Sequence, residues 1–169
     1  EFKVTQTIEV AVTNVTVNAD DDIVRTGSSI TVVPEWAFLH DDIGSAVGNL
    51  DITVTGFVDD LSDASLGIIP GSVTITDNDA DGGSFVYTAS DGIETDTATV
   101  SVEIDVGPMA GDNNDEILVG TSAAETIDGG GGNNILIGGG GADTLIGGTG
   151  EDVLVYAPGV SFITGGAGQ

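Results

Sequence analysis

The sequence predicts an all-β protein in two parts, an antiparallel β-sandwich over residues 19–106 and a parallel β-roll over residues 107–169. Three observations predict it. Up to residue 106, short runs alternate branched apolar with polar residues, as half-buried strands do. Beyond it, a glycine recurs every nine residues with an aliphatic residue at a fixed offset. Nowhere does helical apolar spacing persist long enough for a long amphipathic helix.

Taken in order, residues 1–18 contain Thr7-Ile8-Glu9-Val10-Ala11-Val12, a pattern echoed by Thr99-Val100-Ser101-Val102-Glu103-Ile104. They are either the last strand of an upstream copy of the same domain or the first strand of this one. Residues 34–39 fit a short helical turn or a strand. Ile52, Val54 and Phe57 mark one strand. Val73 and Ile75, between Ser72, Thr74 and Thr76, mark another. Phe85 and Tyr87 between Ser84 and Thr88 mark a third, and Val100, Val102, Ile104 and Val106 a fourth. Several short strands in such a span make a sandwich. Gly107-Pro108 is the seam, because it breaks the strand pattern, and most of the 27 glycines follow it. The nine-residue steps then run Gly111, Gly120, Gly129, Gly138 and Gly147; Tyr156 breaks the rule and Gly165 restores it. At the eighth position of each unit stand Leu118, Ile127, Leu136, Leu145, Leu154 and Ile163. Units 138–146 and 147–155 read in full as Gly-Gly-x-Gly-x-Asp-x-Leu-x. The start at Glu1-Phe2 and the stop in mid-repeat are expected of a segment of something longer.

A period of nine with a turn half and an apolar half is the pattern of a parallel β-helix whose turns bind calcium. Glycines admit the positive φ of a tight turn. The turn directs carbonyl oxygens to one point, and an aspartate at the sixth position adds a charged oxygen; hard oxygen ligands suit Ca2+. The strand that follows turns its aliphatic residue inward, and coils stack about 4.8 Å apart. Two nonapeptides complete one coil, so turns on the same side are two repeats apart. The sixth positions are Glu116, Glu125, Asn134, Asp143 and Asp152, giving same-side pairs Glu116–Asn134, Glu125–Asp143 and Asn134–Asp152. These residues, with the turn glycines Gly129, Gly131, Gly138, Gly140 and Gly147, are the candidate ligands. The 129–134 turn keeps its glycines but carries Asn, which loses a charge. The turns from Gly111 and Gly120 lack the double glycine and carry Glu, so they are poorer sites. Ser161 holds the sixth position of the aberrant unit 156–164. About two or three occupied sites are expected. A disordered acidic linker would have no use for the regular aliphatic position. A phosphate loop would need a Lys-Ser or Lys-Thr pair after the glycines.

The net charge is −26, and Lys3 and Arg25 are the only firm cations. That excludes nucleic acid, whose phosphates demand basic residues, and opposes binding to anionic membranes. The missing positive charge is supplied either by divalent cations or by nothing more than a solvated acidic surface. Without cysteine, no disulfide or thiol chemistry is open, so a secreted chain would need another brace. No segment has the length of a membrane span, and no signal sequence opens the chain.

The tail closely resembles the nonapeptide repeats of RTX proteins, calcium-dependent exoproteins of Gram-negative bacteria exported by type I secretion. The middle resembles the cadherin-like, immunoglobulin-like repeats of large bacterial adhesins. That second likeness rests on Asp20-Asp21-Asp22, Leu39-His40-Asp41-Asp42, Leu50-Asp51-Ile52-Thr53-Val54, and the run Phe85-Val86-Tyr87-Thr88-Ala89-Ser90-Asp91-Gly92 leading into Asp96-Thr97-Ala98-Thr99-Val100. The resemblance implies a secreted or cell-surface location. It implies calcium ions and neighbouring repeat domains of the same chain as partners, with surface glycans or matrix polysaccharide as further ones. It also implies calcium at joints such as Asp20-Asp21-Asp22, although an acidic solvated linker would read the same. Such modules occur on secreted hydrolases too.

Asp77-Asn78-Asp79-Ala80-Asp81-Gly82 opens like an EF-hand loop. Thr88 occupies the twelfth position and the flanks are strands, so the reading is a calcium-binding hairpin loop with Asp77, Asp79 and Asp81 as ligands, or an ordinary acidic turn. His40 is the sole histidine, and no Gly-x-Ser-x-Gly accompanies it. No catalytic constellation is legible, and no enzyme is expected. Trp36 reads as a core residue, with sugar contact as the alternative. The sequon Asn14-Val15-Thr16 is not expected to be modified in a bacterial protein. The reading is a non-enzymatic calcium-binding fragment of a secreted RTX adhesin, spacer plus calcium-folded repeats. The alternatives are the non-catalytic tail of a secreted RTX enzyme, or a carbohydrate-binding module.

Overall fold

The computed structural model describes residues 16–42, 51–59, 65–69, 71–77, 79–105, 107–155, 158–159 and 162–167, with 51, 54–59 and 65–69 by backbone alone. The strand expected at residues 7–12, Asn14 and Val15 of the sequon, Val106, Tyr156 and Ser161 lie outside these. Strand predominates and helix is a single short turn among the described residues, so the fold class is all-β.

The first half supplies β1 (Asp22–Thr26), β2 (Ile30–Pro34), the helical turn α1 (Glu35–Phe38), β3 (Asp51–Asp59), β4 (Ser65–Ile69), β5 (Ser72–Thr76), β6 (Gly83–Ser90) and β7 (Thr95–Ile104). Alternation drives them: β5 buries Val73 and Ile75, β6 buries Phe85, Tyr87 and Ala89, and β7 buries Ala98, Val100 and Val102. Strands β2, β5 and β4 form one antiparallel sheet, and its inner residues share a core with β6 and β7. Phe38 meets Phe85 edge-on, with ring centroids 6.1 Å apart. Residues 34–39 resolve as the helical turn. It sends Ala37 and Phe38 inward and leaves Trp36 44% exposed. The expectation that Trp36 is core is therefore corrected, because four helical residues present only one face to the sheets.

The second half adds β8 (Met109–Ala110), β9 (Ile117–Val119), β10 (Thr126–Asp128), β11 (Ile135–Ile137), β12 (Thr144–Ile146), β13 (Val153–Val155) and β14 (Phe162–Thr164). Every second strand pairs in parallel with a shift of eighteen residues: Leu118 with Leu136, Leu136 with Leu154, Ile127 with Leu145, and Leu145 with Ile163. Leu118, Ile127, Leu136 and Leu145 are fully buried, Met109 extends their series one step earlier, and Leu154 packs against them. Ile163, on the edge strand β14, is 40% exposed.

The two halves share a sheet, in the order β13-β11-β9-β1-β7-β6-β3. Strand β1 runs parallel to β7 on one side and to β9 on the other. The expected sheet was antiparallel. The parallel pairs arise because β1 closes what would be an open edge of each half. A second register follows from this. Ile117, Val119 and Ile135, on the outer face of the β9–β11–β13 sheet, are buried in the first half's core, with Ile137, Val153 and Val155 packed against it. The opposite sheet, β14-β12-β10-β8, carries Thr126, Asp128 and Thr144 at corresponding positions.

Candidate metal centre

The turns between these short strands owe their shape to glycine at two positions for one reason and at a third for another. The second and fourth residues take positive φ: 76° and 87° at Gly130 and Gly132, 76° and 91° at Gly139 and Gly141, 96° and 122° at Gly148 and Gly150. The first glycine is required by close stacking. A Cβ on Gly120 would lie 2.6 Å from the carbonyl oxygen of Gly138 in the next coil.

Three of the sixth-position side chains reach back one coil. Oδ1 of Asn134 accepts from the Glu116 amide at 3.0 Å, Oδ1 of Asp143 from the Glu125 amide at 3.0 Å, and Oδ1 of Asp152 from the Asn134 amide at 2.9 Å. The same-side pairs thus stand next to one another. The rest of each side chain has a different fate. In the 129–134 turn, Asn134 Nδ2 donates to the carbonyls of Gly129 and Gly131, each at 3.0 Å, and of Gly132 at 3.4 Å. Oδ2 of Asp143 and Oδ2 of Asp152 are buried and have no hydrogen-bond partner. Glu125 receives the Thr121 amide at 2.6 Å and hydroxyl at 2.9 Å. Glu116, fully buried, receives the Asp112 amide at 2.8 Å and the Nε of Arg25.

Arg25 sits on β1 and reaches across the joint, with Glu103 at 3.0 Å and Asp112 at 3.5 Å as its other carboxylates. Burial works to lower its pKa. The hydrogen bond and charge of Glu116, with Glu103 and Asp112, outweigh that and hold it above the ordinary arginine value. Nothing in the sequence marks this role beyond the scarcity of positive charge. Thr121 had no sign at all.

Calcium fits the aspartate turns. An ionised oxygen buried without a partner is strongly unfavourable, and a divalent cation on hard oxygen donors removes that penalty. Asp143 and Asp152 would hold it, with carbonyls of their own turns.

Asp77, Asp79 and Asp81 offer carboxylate oxygens within 4.8 Å of one another. Asp77 is buried and organises the loop: its oxygens accept from the amides of Ala80 and Gly82, each at 2.9 Å. Asp79 and Asp81 are exposed.

A cleft of about 180 Å³ at the joint is walled by Asp21, Asp22, His40, Asp41, Asp115 and Glu151, among others. Burial, then Asp41 and Asp42, push the Asp22 carboxyl up to about 9, against a smaller opposing effect from the Tyr87 hydroxyl. Burial likewise raises Asp42 to about 6, although it accepts from the Asp20 amide at 2.8 Å and the Tyr87 hydroxyl at 2.9 Å.

Stacked coils of this kind, with oxygen-lined turns every nine residues, define a class of metal-binding repeat. Residues 119–154 match the RTX calcium-binding nonapeptide repeat, in four copies. The match takes in the turns of Glu125, Asn134, Asp143 and Asp152, and such repeats bind calcium ions. No curated protein matches the chain.

Proposed function

We propose that this chain is a non-enzymatic segment of a secreted RTX adhesin of a Gram-negative bacterium. In this reading the first half is an immunoglobulin-like, cadherin-like spacer and the second a calcium β-roll that couples folding to type I export. The observation that carries it is the pair of buried, unpartnered carboxylate oxygens at Asp143 and Asp152 inside parallel coils. With calcium scarce in the cytosol, those carboxylates oppose coil closure and the chain stays fit for export. Outside, calcium near about 10⁻⁴–10⁻³ M drives closure. Hydrogen exchange of the full chain across a calcium titration tests the reading. The amides of β12, β13 and β14 should gain protection with calcium and lose it in chelator. Magnesium should substitute poorly, because it demands a tighter octahedral shell. Protection indifferent to calcium would overturn the proposal.

One observation favours a second reading, a carbohydrate-binding surface: the exposed Trp36. Glycan-array binding that is lost in Trp36→Ala would support it.

A further inference from the structure

We propose that, of the five coil turns, calcium enters only the two aspartate turns, 138–143 and 147–152, and that the three turns before them are closed by protein hydrogen-bond donors instead of metal. The inference rests on the calcium reading of the coil stack and assigns which turns take the ion.

The comparison that carries it is between Asn134 and the two aspartates. The side chains have the same shape, and their Oδ1 atoms do the same work, each accepting a backbone amide eighteen residues earlier at 2.9–3.0 Å. The second atom differs. In Asn134 it is an amide nitrogen that donates to the carbonyls of Gly129, Gly131 and Gly132. In Asp143 and Asp152 it is an oxygen with no donor in reach. The glycines at the second and fourth positions take positive φ in all three turns, so the backbone makes the same kind of turn. By register, the carbonyls of 138, 140 and 141, and of 147, 149 and 150, stand to Oδ2 as those of 129, 131 and 132 stand to Nδ2. A carboxylate oxygen among carbonyl oxygens calls for a cation. An amide among them is already satisfied.

Asn134 cannot turn its oxygen inward to take a metal without loss. Rotation would set Nδ2 against the Glu116 amide, donor against donor. The two glutamate turns are closed differently but as completely. Thr121 gives Glu125 two hydrogen bonds from within its own turn. Glu116 receives the Arg25 guanidinium and the Asp112 amide. In the sheet that contains β1, the strands that follow turns needing no metal, β9 and β11, lie nearer β1 than β13, which follows an aspartate turn. Without calcium, β9 should remain paired with β1 and β11 with β9, while β12, β13 and β14 do not form.

The test counts ions on the full chain by native mass spectrometry and reads amide protection by hydrogen exchange in chelator. Asp143→Asn and Asp152→Asn should each lower the calcium count by one, and Asn134→Asp should raise it by one. In chelator, wild type should protect β9 and β11, and Asn134→Asp should lose that protection at least tenfold. The double variant Asp143→Asn, Asp152→Asn should protect β12 in chelator where wild type does not, because each new amide closes its turn. Should Asn134→Asp fail to fold at any calcium, the double variant decides: protection without calcium upholds the inference, and its absence overturns it. An unchanged count in Asn134→Asp that does fold also overturns it. If neither Asp→Asn change alters the count, the calcium reading of the stack itself fails.

Discussion

In the first half of the chain, two sheets close over a core of Phe38, Phe85, Tyr87 and many branched side chains. In the second, the interior is one side chain wide: Met109, Leu118, Ile127, Leu136 and Leu145, with Leu154 at its end. The first can be held by burial of its own apolar surface. The second buries one aliphatic residue for each nine-residue unit, too little to order that much backbone. It makes up the difference in two ways. It docks the outer residues of every second strand on the first half's core, and it binds cations at the turns. Stability in the first half is therefore a property of its residues, and in the second a property of residues plus environment.

The sharpest way to break this comparison is to spoil the narrow core. Leu145→Asp puts a charge into an interior with no partner for it, at a cost of several kcal/mol. The amides of β10, β12 and β14 should lose hydrogen-exchange protection even in saturating calcium, while β6 and β7 keep theirs. Equal loss in both would mean that the halves unfold as one unit.

Next in size is the joint. Arg25→Gln leaves the buried Glu116 carboxylate unpaired, which should cost about 3–5 kcal/mol. Thermal unfolding in calcium should show a lowered Tm, and Arg25→Gln with Glu116→Gln should recover most of it. No recovery would mean that Arg25 holds the joint by packing rather than by charge.

The last effect grows only with pH and comes from Asp22, a buried carboxyl raised by burial and by the charges of Asp41 and Asp42. Its folded pKa, about 9, lies above the ordinary 3.8. Its contribution is favourable below the ordinary value and is lost progressively as pH rises from about 4 to about 9. The Tm of Asp22→Asn minus that of wild type should therefore grow across this window at fixed calcium and level off above it. A flat difference would mean that Asp22 is ionised in the fold throughout.

The nine-residue period made the coil legible before any coordinates. Position eight is the interior, turns two repeats apart are neighbours, and Glu116, Asn134 and Asp152 fall on one side. The strands around Val73, Phe85 and Val100 were equally legible, because half-burial leaves alternation in a sequence. The union of the halves was not read, yet it had a signal. Residues 117, 119, 135, 137, 153 and 155 are all Ile or Val, whereas the corresponding positions of the other sheet mix polar 126, 128, 144 and 164 with apolar 146 and 162. That eighteen-residue rhythm marks one outer face as buried. The pairing of β1 with β9 left no such trace, since a five-residue strand looks the same whichever strands flank it. Nor did the part played by Arg25, because a long-range ion pair has no local pattern. The exposure of Trp36 was missed because residue type alone argued for the core, and a single helical turn decided otherwise.

The central place of β1 also has a mechanical meaning. Its five residues register with β7 and three of them with β9, all in the same direction. Tension entering ahead of Asp22 and leaving through the coils would pull β1 along its own axis, against neighbours anchored at their far ends. Both ladders would then be loaded in shear, every rung at once, rather than peeled open rung by rung. Under stretch, the joint between the two halves would resist sliding as a unit.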